Sequence, residues 1–207
     1  MRGPSLPSVP LRRTVPCRVA VLALVLAALA GCSGKGPVGG YDVLVVGDSL
    51  MAQSADVVTE ELCTDGWAPF VAAEGGIRIV DWFDDLGPLA QQVRPDIAVV
   101  ELGTNDCCRD LGTFIDTTVE GLLAAGVEAI VWLDTQEVGF RPDAGRVNRA
   151  LEAADERWEE LYVVSMNDRL ASTPEYHEED GLHLSPEGER ELARFIREEL
   201  APFRPDA

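Results

Sequence analysis

The sequence predicts a three-layer α/β/α domain built on a mainly parallel five-stranded sheet. Two observations carry that reading. Short apolar runs recur five times, of the kind used by strands covered on both faces, and each is followed by a segment with helical spacing. Strands alternating with helices imply parallel pairing through helical crossovers. The composition agrees: 46% hydrophobic and 26% charged residues describe a globular chain.

The first strand is read at 42–46, an apolar run that ends in Gly47-Asp48, and a helix follows over 50–64 with Leu50, Ala55, Val58 and Leu62 on one face. A second strand at 69–72 precedes a helix from about 80 to 92. The third strand, 96–100, leads to a helix at 113–125, and the fourth, 129–133, to a helix at 146–160. The fifth strand is 161–165. The last helix has a well-marked start, with Ser185 as N-cap, Pro186 at the first helical position and Glu187 in the first turn. Trp82, Phe83 and Trp132 are read as core rather than as a sugar subsite.

Residues 1–31 stand apart. They carry four arginines (Arg2, Arg12, Arg13, Arg18) and no acid, then twelve apolar residues from Val19 to Ala30. Twelve residues of helix rise only about 18 Å, too short for a hydrocarbon core of roughly 30 Å, so the segment reads as an export signal. The Arg12-Arg13 pair lacks the rest of a twin-arginine motif, which favours the general secretory route. Leu29-Ala30-Gly31-Cys32 resembles the lipobox of bacterial lipoproteins, implying lipidation at Cys32. The expected organisation is therefore a signal peptide over 1–31, a lipidated cysteine and Gly-rich tether over 32–40, and one domain over 41–207. Its place is the outer face of the bacterial cell membrane, held there by lipid and read as a monomer.

Charge and cysteines exclude several functions. With 17 basic against 36 acidic residues and a net charge of −19, the chain lacks the clustered cations that nucleic-acid binding needs. Two histidines, and five cysteines without a C-x-x-C pair, argue against a zinc site. Cys63 would lie about 21 Å along the first helix, at the end of the domain away from Cys107 and Cys108, so no long-range disulfide is expected. Cys107-Cys108 is read either as a vicinal disulfide or as two thiols.

In folds of this class chemistry gathers beyond the carboxyl ends of the strands, and the notable residues lie there. Ser49 follows strand one, Gly75-Gly76 strand two, Gly103-Thr104-Asn105-Asp106 strand three, and Asp180 and His183 strand five. A serine nucleophile needs a base within hydrogen-bond reach, oriented by a third group. Ser49 in that turn is either such a nucleophile or simply a helix cap. His183 is the better base, because Gly181 lets Asp180 turn back to the imidazole of its own loop. His177 is read as a solvated loop residue. Asn105 and a glycine amide from Gly75-Gly76 are the candidate oxyanion donors, the alternatives being an Asx turn and a plain turn.

These residues resemble the SGNH (GDSL-type) hydrolases. Ser49 in Gly47-Asp48-Ser49-Leu50, Gly75 or Gly76, Asn105 in Gly103-Thr104-Asn105-Asp106, and His183 in Asp180-Gly181-Leu182-His183 stand in the family's order over about 42–200. The resemblance implies a flavodoxin-like fold, a Ser49–His183–Asp180 triad, and an oxyanion hole from the Ser49 amide, the Gly76 amide and the Asn105 side chain. Gly76 is preferred to Gly75 because Gly76-Ile77-Arg78-Ile79 looks like a form seen in carbohydrate-esterase members. No metal or organic cofactor is implied.

The expected activity is ester cleavage through an acyl-enzyme, with short acyl groups on envelope carbohydrate or small esters as substrates. An acyltransferase using the same triad, and a non-catalytic glycan-binding lipoprotein, are the alternatives. Arg78 is placed against substrate or a surface carboxylate, and residues 135–143 beside the cleft.

Overall fold

A computed structural model describes residues 42–107, 110–138 and 143–204, the Phe83 side chain excepted. The lipobox, Cys32, Cys17 and Cys108 lie outside the described residues. Five strands form one parallel sheet in the order β2-β1-β3-β4-β5: β1 Val43–Gly47, β2 Pro69–Ala73, β3 Ile97–Glu101, β4 Ala129–Leu133 and β5 Leu161–Val164. All five expected strands are present, with ends shifted by one residue at most. The helices are α1 Ser49–Thr64, α2 Ile79–Val93, α3 Leu111–Ala124, α4 Ala144–Asp155, α5 Met166–Leu170 and α6 Pro186–Leu200. The expected helix over 146–160 is shorter and starts earlier, and α5 is a further short helix that five residues of sequence do not announce.

Alternation along the strands divides the core in two. Val43, Val45, Val99, Val131 and Leu133 face one way and pack on α1 and α6 through Leu50, Val58, Leu62, Leu192 and Ile196. Leu44, Val46, Ala98, Val100, Ile130 and Trp132 face the other way against α2, α3 and α4. Both faces are covered, so the strands can be apolar throughout; each fully buried Val or Leu contributes about 1.5–3 kcal/mol. Trp132 is core, as expected, and its indole N–H donates to the Leu102 carbonyl at 3.0 Å. Trp82 packs partly buried against the same layer.

One cysteine expectation is corrected. Cys63 is disulfide-bonded, to a partner outside the described residues, whereas Cys107 is an exposed thiol. Cys63 does sit in the last turn of α1, away from Ser49, but spacing along one helix does not fix which cysteine the fold brings to that end.

The chain runs from β1 to β2 on one side and then crosses to β3 on the other. The carboxyl ends of β1 and β3 therefore border the crevice where this class of fold binds ligands. Gly47, the last residue of β1, is needed there. A Cβ on it would stand 2.3 Å from Met51 Cβ and 2.9 Å from Glu101 Oε2. Gly47→Ala is expected to cost about 1–3 kcal/mol, read as a lower thermal unfolding midpoint than wild type; an unchanged midpoint would mean that the turn has room the structure does not show.

Candidate active site

Asp48 is the N-cap of α1, and its Oδ1 accepts the Leu50 amide at 3.1 Å. That removes the capping alternative for Ser49, which is the first residue of the helix. Four amides at this helix start are engaged: Asp48 N–H by the Glu101 carbonyl and Oε2, Leu50 N–H by Asp48, Met51 N–H by Glu101 Oε2 and Ala52 N–H by the Asp48 carbonyl. Ser49 N–H has no such partner among the described residues. It lies where a helix start favours negative charge.

The Ser49 hydroxyl meets His183 Nε2 at 3.1 Å, and His183 Nδ1 meets Asp180 Oδ2 at 2.6 Å. Asp180 only accepts when ionised, so Nδ1 carries the proton and Nε2 accepts from Ser49. Gly181, at φ +68°, turns the loop so that Asp180 Oδ1 also accepts the amides of Leu182 and His183, both at 2.9 Å. The bond from His183, then the two amides, hold the Asp180 carboxyl down from its ordinary 3.8 to about 2.

Residues that sequence reading passed over hold this loop in place. Gln53, one turn beyond Ser49 on α1, donates to the Leu184 carbonyl at 2.7 Å and accepts the Leu184 amide at 3.2 Å. This double bond ties the His183 loop to the helix that carries Ser49, and its i+4 spacing was the available signal. His177 is not a solvated loop residue, which corrects that expectation. It is half-buried, with Nδ1 on the Thr173 carbonyl at 3.1 Å and Nε2 on Gln136 Oε1 at 2.6 Å, and it pairs with Leu184 in an isolated antiparallel bridge. It braces the loop and lies outside the Ser49–His183–Asp180 chain.

On the other side of the crevice, Asn105 Nδ2 donates to Asp48 Oδ2 at 3.2 Å and to the Ile77 carbonyl at 3.0 Å. Asn105 thus joins the turns after β1, β2 and β3. Asp106, buried and raised in pKa first by desolvation, accepts the Ile79 amide at 3.0 Å and fixes the start of α2. Gly75 faces Ser49, since a Cβ on it would stand 3.8 Å from Ser49 Cβ; Gly76 has φ +80° and opens to free space. The Gly75–Gly76 turn therefore borders the serine. By side-chain position Gly75 is the nearer, which leaves the preference for Gly76 resting on its motif. Arg78 is taken by Asp81, at 2.8 Å, as the surface-carboxylate alternative expected. In the segment after β4, Thr135 and Gln136 are buried and held by Asn148 and His177; 139–142 lie outside the described residues.

The arrangement contains what acyl transfer requires: a hydroxyl on an imidazole, a carboxylate behind it, and donors beside the hydroxyl. Because the folded Asp180 pKa is depressed, its contribution to stability is present above about pH 4 and lost as pH falls toward 2. Thermal unfolding of wild type from pH 5 to pH 2 is expected to show a destabilising step in that window which Asp180→Asn lacks. Parallel curves would mean that the carboxylate is not held.

Residues 40–191 match the model of the GDSL-like Lipase/Acylhydrolase family. A curated relative, the O-acetyltransferase OatA of Staphylococcus aureus, is 28% identical over 74% of this chain, which spans only 24% of that protein. Among solved structures, TesA superposes with a TM-score of 0.68 at 20% identity, covering 78% of this chain and 99% of its own. The C-terminal catalytic domain of the peptidoglycan O-acetyltransferase OatA of Streptococcus pneumoniae, solved with a methylsulfonyl adduct, gives 0.64 at 17% identity, covering 81% and 98%. Because that model spans 40–191, most of the chain, and the parallel sheet with its serine turn accords with it, the chain belongs to the GDSL-like lipase/acylhydrolases.

Proposed function

We propose that the protein is a serine esterase that removes short acyl groups, acetyl first among them, from envelope carbohydrate or small alcohols. Ser49 attacks the ester carbonyl while His183 takes its proton, and Asp180 steadies the imidazolium. The Ser49 amide, an amide of the Gly75–Gly76 turn and Asn105 Nδ2 receive the oxyanion, for which Asn105 turns one N–H from Asp48 or Ile77. His183 then protonates the departing alcohol, and water releases the acyl group by the same steps in reverse.

The observation that carries hydrolysis is the openness of the hydrogen-bonded chain itself. The His183 and Asp180 side chains are 40% and 51% exposed, so water reaches the base that must activate it. The carbohydrate part rests on the OatA relatives and on the lipobox at Cys32, which would hold the domain against wall polymer. Those same relatives favour a second reading, transfer of the acyl group to a sugar hydroxyl.

Ser49→Ala and His183→Ala are expected to lower kcat for 4-nitrophenyl acetate by about 10⁴-fold or more and to abolish labelling by a fluorophosphonate. Labelling that survives Ser49→Ala would place the nucleophile elsewhere. Asn105→Ala is expected to lower kcat by about 10²–10³-fold with KM little changed; a rise in KM alone would make Asn105 a substrate-binding residue. With an acetyl-ester donor and an unacetylated sugar acceptor present together, acetate release in excess of sugar acetylation supports hydrolysis, and the reverse supports transfer.

A further inference from the structure

Under the serine turn lies a buried acid that the steps above do not use. Glu101 ends β3 opposite Gly47 in the sheet register and is 1% exposed. Its Oε2 accepts the Asp48 amide at 3.2 Å and the Met51 amide at 3.3 Å, the residues one before and two after Ser49. The Asp48 side chain, itself fully buried, stands beside the Glu101 carboxyl and acts on it through charge and hydrogen bonding. Two buried carboxyls side by side favour one shared proton over two charges, since the second charge is far costlier than the first. Desolvation first, then the Asp48 charge, pushes the Glu101 carboxyl well above the ordinary range.

We propose that Glu101 is a positioning residue for ester cleavage, a buried carboxyl that clamps the nucleophile turn from below and, through Asp48, sets the Asn105 donor. The chain of contacts is continuous. The Glu101 carboxyl lies against Asp48, Asp48 Oδ1 takes the Leu50 amide, and Asp48 Oδ2 takes Asn105 Nδ2. With the neighbouring amides spoken for, the Ser49 hydroxyl and amide are held toward the crevice in one geometry. The inference rests on the serine-esterase reading and names a further residue for it.

The shared proton makes the test specific, because glutamine can copy a protonated acid. Its carbonyl accepts the two amides and its NH₂ donates to Asp48. Glu101→Gln is expected to keep kcat within about threefold of wild type, whereas Glu101→Met, of similar volume, loses about 10–100-fold in kcat with KM little changed. Rates are taken per active site titrated with fluorophosphonate, so a variant that is merely less folded does not count as slower. Should the Met variant not fold, Glu101→Asp, which draws the carboxyl back by one methylene, must show the kcat loss. An infrared band of a protonated carboxyl at pH 7 is expected in wild type and lost in Glu101→Gln. Full kcat in the Met or Asp variant overturns the proposal, as does equal loss in Gln and Met, or no such band. If Ser49→Ala were to keep full activity and labelling, the esterase reading itself would fail, which these variants do not decide.

Discussion

Asp48 accepts the Leu50 amide and so caps α1 in place of its neighbour. A serine at a helix start ordinarily spends its hydroxyl on such an amide. With the cap supplied one residue earlier, the Ser49 hydroxyl turns to His183, and the Ser49 amide remains for a developing charge. The same carboxylate receives Asn105 and stands beside Glu101, whose pKa it helps to raise after burial. The turns after β1 and β3 are thereby joined through one buried acid, which costs desolvation that its donors offset.

The sheet order explains why these turns meet. Placing β1 between β2 and β3 sends successive crossovers to opposite faces, and the crevice this opens lies at the ends of β1 and β3. β2 brings the Gly75–Gly76 turn to one rim. The His183 loop arrives from the far end of the chain, and Gln53 and His177 hold it to α1 and to the loop after β4. None of these contacts is large by itself. A net hydrogen bond contributes about 0.5–1.5 kcal/mol, and the loop is held because several act on one short segment. Exposure of the Asp180–His183 pair is compatible with that, since its geometry comes from the turn at Gly181 and the amides of its own loop rather than from burial.

Much was legible in the residues alone. Apolar runs of four or five residues, too short for helices and bounded by Gly, Asp or Pro, could be little else than buried strands, and Ser185-Pro186 marked the last helix because capping chemistry is local. The order of Ser49, Gly75-Gly76, Asn105, Asp180 and His183 along the chain, each just past a strand, was visible for the same reason: strand ends are local features, and in a parallel sheet they share one edge. The Asp180–His183 contact spans three residues and one glycine, so it too could be read locally.

Tertiary structure decided what depends on distance across the fold. Whether Ser49 caps or is free, and that His177 braces rather than dangles, required knowing which groups approach from residues 41 to 134 positions away. Glu101 carried one signal in sequence, an acid ending an otherwise apolar strand, but its raised pKa follows only from its burial and from Asp48 beside it. By itself the sequence determined the layers, the strand ends and the residue types gathered there, because periodicity, capping and turn chemistry act over a few residues. Which of those groups hydrogen-bond, and which are left with reactive atoms facing the crevice, was decided only by packing, because partners compete for the same donors once the strands are side by side.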